Sequence, residues 1–137
     1  MASTYGFGVS LAVPYEEALG LVKEALKAEG FGVLTEIDVQ KTLREKLGAE
    51  MEPYMIYGAC NPPLAHKALT AEQDIGLLLP CNVVVRAEGS GSRVDVADPE
   101  VMFTIVNKPE LETVASDAKS RLQRAIESLS REHAASH

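Results

Sequence analysis

Apolar and small residues alternate along the first segment of the chain. Tyr5, Phe7, Val9, Leu11 and Val13 are bulky, whereas glycine, serine and alanine lie between them. Because side chains of a strand point alternately to its two faces, this pattern predicts a strand with one bulky face and one small face.

The next segment has the spacing of a helix. Pro14 lies in a first-turn position and Gly30 follows the end of the pattern, which are common sites for these two residues. The buried stripe is predicted to contain Ala18, Leu19, Val22, Ala25 and Leu26.

The middle of the chain predicts two more strands and two short helices. One strand begins at Phe31 and ends near Val39, and a polar helix over residues 40–47 follows it. Residues 54–60 are apolar on both faces, as in a central strand that is covered on both sides. Asn61 and two prolines then predict a capped helix that ends near Leu69.

The last third of the chain predicts a hairpin and two helices. Residues 83–85 and 93–96 are short strands on either side of a Gly-Ser-Gly-Ser turn. Asp98 and Pro99 predict the start of a short helix that includes Ile105. Lys108-Pro109-Glu110 predicts the start of the last and longest helix.

This order of elements predicts the α+β class, as one domain over residues 1–137. The long first and last helices are expected on one face of a two-layer structure with a mainly antiparallel sheet. The other face then carries the small side of the first strand and apolar residues of the central strands. Since a monomer seldom exposes such a patch, we expect a homodimer. Residues 132–137 are small or polar and are expected to fray.

The net charge and the apolar content of the chain limit the kinds of partner and the location that we expect. The chain carries 20 acidic and 13 basic residues, a formal net charge of −7, so nucleic acid and anionic membranes are not expected as partners. The N-terminus lacks the pattern of a secretory signal, and no stretch has the ~20 apolar residues that span a bilayer. The expected location is the cytoplasm, where the two cysteines would remain reduced.

The two cysteines are the centre of the candidate site. Cys60 directly precedes the Asn61 cap, and the start of a helix is expected to lower the pKa of a nearby thiol. Cys81 follows Pro80 at the start of a strand. If the two strands are neighbours, the sulfurs approach each other, and with Asn61 and His66 they could bind a small ligand or a soft metal.

Simpler interpretations stand beside this one. Free cysteine is often buried as core packing, and twenty residues between two cysteines is not a zinc-site spacing, so no metal is assigned. His66 alone on a short helix is typical of a surface histidine. Glu36, Asp38 and Arg86 are expected on the less packed face of the sheet, where they line a polar pocket or pair across strands.

The segments around these cysteines resemble a known family. Residues 54–62, Ala65, Ala68-Leu69 and residues 75–85 are similar to the prokaryotic domain of unknown function 302, with Cys60-Asn61-Pro62 and Pro80-Cys81 as the most specific marks. The resemblance covers the chain from Tyr5 to the last helix. It implies a curved antiparallel sheet backed by helices, like a repeat of the TATA-binding protein, assembled as a dimer, and it implies no established activity.

Three functions therefore remain open. The first is a dimeric module that binds a small molecule or ion near Cys60, Asn61, Cys81 and His66, with backbone N–H groups of the Asn61-Pro62 helix start available to an anion. The second is a redox enzyme in which one cysteine attacks and the other resolves. The third is a structural subunit in which both cysteines are core packing. No reaction, cofactor or catalytic residue is assigned.

Overall fold

Five strands form one antiparallel sheet in the computed structural model, which describes residues 4–135. The strands of this described part are β1 Gly6–Leu11, β2 Gly32–Asp38, β3 Tyr54–Cys60, β4 Cys81–Glu88 and β5 Gly91–Ala97. Their order in the sheet is β1-β5-β4-β3-β2. The predicted hairpin is therefore confirmed as the pair β4 and β5, and β3 lies beside β4.

In the described part of the chain, five α-helices accompany the sheet, and the long ones cover one of its sides. They are α1 Tyr15–Ala28, α2 Val39–Leu47, α3 Pro62–Ala71, α4 Pro99–Phe103 and α5 Pro109–His133, with a 3₁₀ helix at Gln73–Leu78. The long helices α1 and α5 contact each other and the sheet, which confirms the predicted α+β class with the first and last helices in one layer. Within residues 4–135, no helix combines the length and the apolar composition needed to cross a membrane.

The strand register separates the two faces of the sheet. Val83 pairs with both Tyr57 and Val96, and all three side chains are buried beneath the helices. Phe7 and Val9 continue this helix-facing side on β1, as the alternation predicts. The long helices thus enclose an apolar core with one face of the sheet.

The opposite face is mixed in character. Near β1 and β5 it is polar, because Arg93 bonds to both Asp95 and Ser10, and Ser10 donates to Glu88. Apolar residues on this face are concentrated on β2, β3 and β4, where Ile37 is exposed and pairs with Ile56, which in turn pairs with Val84. The uncovered apolar area is therefore smaller than the sequence pattern suggests.

Two of the acidic residues expected on this uncovered face lie on the helix side instead. Glu36 pairs with Tyr57 and accepts from Lys23 of α1 at 2.8 Å, and Asp38 pairs with Met55. An irregularity in β2 between Val33 and Thr35 shifts the register by one residue, which reverses the side on which later residues point. The prediction was wrong for these two residues.

The C-terminal segment is more ordered than its composition suggests. Helix α5 continues to His133, whose carbonyl accepts from the N–H of Ala12 at 2.7 Å. The N–H of Ala135 donates to Ser10 at 3.0 Å. Residues 132–135 are thus tied to β1 by backbone hydrogen bonds rather than frayed, and residues 136–137 lie outside the described part.

The short elements between Asn61 and Lys108 also differ from the prediction. Residues 73–78 form a 3₁₀ helix, for which the sequence pattern gave no prediction. Helix α4 ends at Phe103, so Ile105 lies beyond it and is 76% exposed. The reason is that a turn between Phe103 and Val106 interrupts the chain before Pro109 opens the next helix.

Candidate functional site

One end of the sheet holds an apolar cavity of about 370 Å³, here called the first cavity. It lies where β3 ends and β4 begins, between these strands and the helices α3, α4 and α5. Its larger lining side chains are Phe31, Leu34, Leu64, Leu69, Leu79, Phe103 and Val114. The cavity is partly open to solvent, and Leu34 and Leu69 of the lining are themselves exposed.

Small side chains create this space. Ala65 and Ala68 of α3 line the first cavity from one side, Ala118 of α5 from another, and Ala59 forms part of the floor on β3. Ala59, Ala68 and Ala118 are buried with no bulky group beyond the Cβ to fill the volume. The cavity is thus a consequence of alanine at several facing positions.

The two cysteines lie at the edge of this cavity but on different sides of the sheet. Ala59 pairs directly with Cys81, which confirms that the strands carrying the cysteines are neighbours. Paired residues point to the same face and consecutive residues point to opposite faces, so Cys81 shares the helix side with Ala59 and Cys60 points the other way. Both still line the first cavity, which wraps around the strand ends.

The surroundings of both thiols favour the neutral form. Burial raises the pKa of Cys60 above its ordinary value. Burial, together with the neighbouring Cys60, raises the pKa of Cys81 to about 11. The expectation that the helix start would lower the pKa of Cys60 was wrong, because loss of hydration outweighs the field of the helix. A raised pKa lowers the fraction of the thiolate that a redox nucleophile needs.

Asn61 is a buried cap of α3. Its side-chain oxygen accepts from the N–H of Leu64 at 3.2 Å, and its amide nitrogen donates to the carbonyl of Glu29 at 3.5 Å. Gly30, with φ of +83°, passes so close to this amide that a Cβ would crowd it. The amide of Asn61 is therefore used to hold α3 against the end of α1.

The start of α3 has no backbone donor available for an anion. Its first two residues, Pro62 and Pro63, have no N–H. The N–H of Leu64 bonds to the side chain of Asn61, and the N–H of Ala65 bonds to the Asn61 carbonyl at 2.9 Å. The expectation of an anion site here was wrong, since every early N–H of the helix is absent or bonded.

His66 does not join the cysteines. Its side chain is exposed on α3 and is not part of the lining of the first cavity. Among the residues from 4 to 135, no group of three or more His, Cys, Asp or Glu side chains is placed to hold a metal ion. Of the four predicted site residues, the structure brings together Cys60, Asn61 and Cys81 and leaves His66 outside.

A second cavity of about 240 Å³ adjoins the first. The two share Leu79, Pro80, Cys81, Pro99 and Phe103. The second cavity adds residues 77–78, Asn82, Ala97 and Met102 and has a larger polar fraction than the first. Leu79 and Pro80, which are joined by a cis peptide bond, and Phe103 therefore lie between the two cavities.

Gly58 of β3 lies in close contact with the two neighbouring strand ends at the edge of the site. A Cβ at this position would collide with the side chains of Thr35 and Pro80. Glycine therefore allows the ends of β2 and β4 to approach across β3, and it brings Thr35 and Pro80 to the first cavity.

Sequence reasoning missed most of the apolar lining. Phe103, Val114 and Ala118 come from the C-terminal third of the chain, far from the cysteine motifs. A weak signal for the cavity was present in the sequence, because alanine at buried helical positions leaves room that larger residues would fill. The alanines concerned are Ala65, Ala68 and Ala118. The pattern does not say which alanines face each other.

Comparison with known proteins identifies a family, and the description of that family names no function. Residues 7–129 match the model of the family described as domain of unknown function DUF302. A solved structure described as an uncharacterized conserved protein DUF302 from Bacillus stearothermophilus is 30% identical, with a TM-score of 0.84 over 91% of this chain and 98% of that one. No curated protein matches the chain.

Proposed function

The chain belongs to the DUF302 family, and from that premise we propose that it is a dimeric module that binds a small apolar molecule in the first cavity. The observation that carries the proposal is the cavity itself, about 370 Å³ of open space with an almost wholly apolar lining. Cys60, Asn61 and Cys81 lie at its edge, so the residues that carried the resemblance in the sequence border the proposed site.

The size and lining of the cavity support this proposal. Ligand sites in proteins have volumes of about 300–1,000 Å³ and are mostly apolar, with few polar groups. A smaller apolar cavity, of about 150 Å³, is enough to bind benzene in an engineered protein. Transfer of an apolar molecule from water into such a space is favourable by roughly 25 cal/mol for each Å² that is buried.

The thiols favour binding over redox chemistry. A neutral thiol behaves as a small apolar group, so Cys60 and Cys81 suit the lining of an apolar site. An attacking cysteine requires a thiolate, and a resolving cysteine must be able to meet it. The raised pKa values of the two thiols argue against a thiolate. The opposite directions of the two side chains argue against contact between the sulfurs. Binding of an anion at this site is not favoured, because the start of α3 offers no free backbone N–H group.

Fluorescence of N-phenylnaphthylamine, a dye that brightens in apolar sites, tests the proposal. The wild-type protein is expected to enhance the dye saturably. Ala68→Leu places a larger side chain in the wall of the first cavity and is expected to weaken binding about tenfold or more. Ala28→Leu makes the same change at an exposed position of α1 and is expected to bind as the wild type does.

Two results would reject the proposal. One is the absence of saturable enhancement by folded wild-type protein. The other is unchanged binding by an Ala68→Leu variant whose urea unfolding transition shows that it is folded. Native mass spectrometry of the purified protein adds a direct search for a copurified ligand.

We also propose that two copies associate through the uncovered face of the sheet. The half-buried Ile56 and Val84, with the exposed Ile37, form an apolar area there beside the charged Arg93 and Asp95. Sedimentation at tens of micromolar is expected to give a dimer that Ile56→Lys converts to a monomer. The likeness to a TATA-binding-protein repeat and a cytoplasmic location stay predictions from the sequence.

A further inference from the structure

Part of the opening of the first cavity lies on the uncovered face of the sheet. Thr35 and Pro80 both line this cavity, and both are exposed. A Cβ built at Gly58 would collide with these two side chains, so they meet over Gly58. Gly58 directly precedes Ala59, whose side chain faces the helices, and a Cβ at Gly58 therefore points to the uncovered face. Thr35 and Pro80 thus border the cavity on that face.

The apolar area proposed for self-association begins one step along the same two strands. Ile37 follows Thr35 by two residues, and Ile56 precedes Gly58 by two residues, so the members of each pair point to the same face. Two residues of a strand span about 7 Å. The apolar area and this side of the cavity opening therefore form one continuous surface.

An interface of ordinary size is large enough to include both parts of this surface. Stable complexes bury about 800 Å² on each partner, which corresponds to a disc with a radius of roughly 16 Å. Gly58, over which Thr35 and Pro80 meet, lies only about 7 Å from Ile56. A second copy that docks around Ile56 therefore also covers the opening at Thr35 and Pro80.

The charges of this face favour a second copy of the chain as the partner. Beyond the apolar area, the described strands β4 and β5 present two basic and two acidic side chains to this face, namely Arg86, Arg93, Glu88 and Asp95. In a two-fold interface the same surface meets itself, so a balance of opposite charges avoids repulsion. The chain as a whole carries a net charge of −7, which makes other pairings of two copies less favourable.

We infer that a second copy closes the opening of the first cavity on this face, so that ligand binding and dimer formation strengthen each other. Closure removes the exposed part of a bound apolar molecule from water, and the dimer is therefore the tighter binding state. By linkage, the ligand stabilises the dimer by the same factor for each site. This inference rests on the proposed function, and it adds the regulation of that site by self-association.

Dilution of the wild-type protein tests the coupling without any substitution. Sedimentation gives the dissociation constant of the dimer, and binding of N-phenylnaphthylamine is then measured above and below that concentration. The diluted protein is expected to bind the dye at least about fivefold more weakly, at the lower end of typical coupling. Since a dimer holds two sites, saturating dye is expected to lower the dissociation constant of the dimer by the square of that factor, at least about 25-fold.

Two variants repeat the test at one protein concentration. Ile37→Lys and Ile56→Lys each place a charge in the apolar area, and both are expected to be monomers that bind the dye at least about fivefold more weakly than the wild-type dimer. Ile37 is 49% exposed, so its replacement leaves the core intact. Ile105→Lys makes the same change at an exposed residue between α4 and α5 and is expected to associate and bind as the wild type does. Urea unfolding shows that each variant is folded.

The outcomes separate this inference from the proposed function. If folded monomers and the dimer bind the dye equally, or if the dye leaves the dissociation constant of the dimer unchanged, the inference is overturned while binding in the cavity stands. Weaker binding by the dimer would mean that the partner blocks the opening, which also overturns it. A wild-type protein that binds the dye but stays monomeric at tens of micromolar removes the dimer and the inference together. If the folded protein binds no dye at any concentration, the proposed binding function itself fails.

Discussion

Helix α5 passes over two regions that are packed in different ways. At Leu122 it lies in the part of the core that α1 also covers, where Leu122 and Val22 are at most 1% exposed. One turn earlier, at Ala118, the same helix faces the first cavity. The difference is one of side-chain volume, because a leucine fills its site and an alanine leaves space. One region under α5 is therefore densely packed, and the other contains an apolar cavity.

Truncation of leucine should have the largest effect in the filled region. Leu122→Ala leaves a new void and is expected to cost an amount in the upper part of the ~2–5 kcal/mol range for such changes. Leu64→Ala, in the lining of the first cavity, only enlarges a space that already exists, and its cost is expected at the lower end of that range. Urea unfolding measures both. Equal costs would show that the two regions are packed alike.

The thiols at the cavity should react slowly with iodoacetamide. Burial raises the pKa of Cys81 from 9.0 to about 11, so the fraction of its thiolate at neutral pH is reduced roughly a hundredfold. Cys60, with a smaller rise, is expected to react first. Mass mapping in Cys60→Ser and Cys81→Ser variants measures each thiol separately. Rapid alkylation of Cys60 at pH 7 would revive the redox hypothesis.

The same shift predicts how stability depends on pH. Because the folded protein holds the Cys81 proton more tightly than the unfolded chain does, unfolding releases that proton. The stabilising contribution is complete below pH 9 and is lost as pH rises from about 9 to about 11. Cys81→Ser is expected to have a shallower loss of stability in this window than the wild type. Parallel curves for the two proteins would contradict the assignment.

Enlarging an alanine should distinguish the two regions in the opposite direction. Ala18→Leu overfills a fully buried site on α1 that lines neither cavity, and it is expected to cost about 1–3 kcal/mol. Ala118→Leu extends into the first cavity, so it is expected to cost less than about 1 kcal/mol or to stabilise the protein. Thermal unfolding of both variants provides the comparison. A larger cost for Ala118→Leu would mean that the space cannot accept a side chain.

A surface ion pair should have the smallest effect. Arg124 of α5 lies 2.9 Å from Glu29 at the end of α1, and the arginine side chain is 53% exposed. Arg124→Ala is expected to cost less than about 1 kcal/mol, because solvent and salt screen such a pair. Urea unfolding at low and high salt measures it. A loss of several kcal/mol would show that the pair, rather than the leucine packing, holds α1 to α5.

The sequence predicted the parts of this structure that depend on local pattern. Ala18, Val22, Ala25 and Leu26 are buried on α1 as helical spacing requires, and Asn61 caps α3 as its residue type suggests. These features follow from periodicity and from the chemistry of single residues. The hypothesis of a shared site required the two cysteine-bearing strands to be neighbours, and the sequence did not predict whether they are. The pairing of Ala59 with Cys81 shows that they are.

The parts that the sequence missed depend on distant contacts. The raised pKa of Cys60 follows from its burial, which the local sequence pattern around Cys60 does not predict. The direction of Glu36 follows from an irregularity in β2 that leaves no clear mark in the sequence. The first cavity exists because Ala68 and Ala118, fifty residues apart, face the same space.

Methyl NMR of protein labelled at alanine tests the central claim most directly, because alanines occur in both regions. Titration with decane is predicted to shift the methyl signals of Ala59, Ala68 and Ala118, which line the first cavity, and to leave those of Ala18 and Ala25 in place. Signals that do not move, or that move equally in both regions, would contradict a binding site in this cavity.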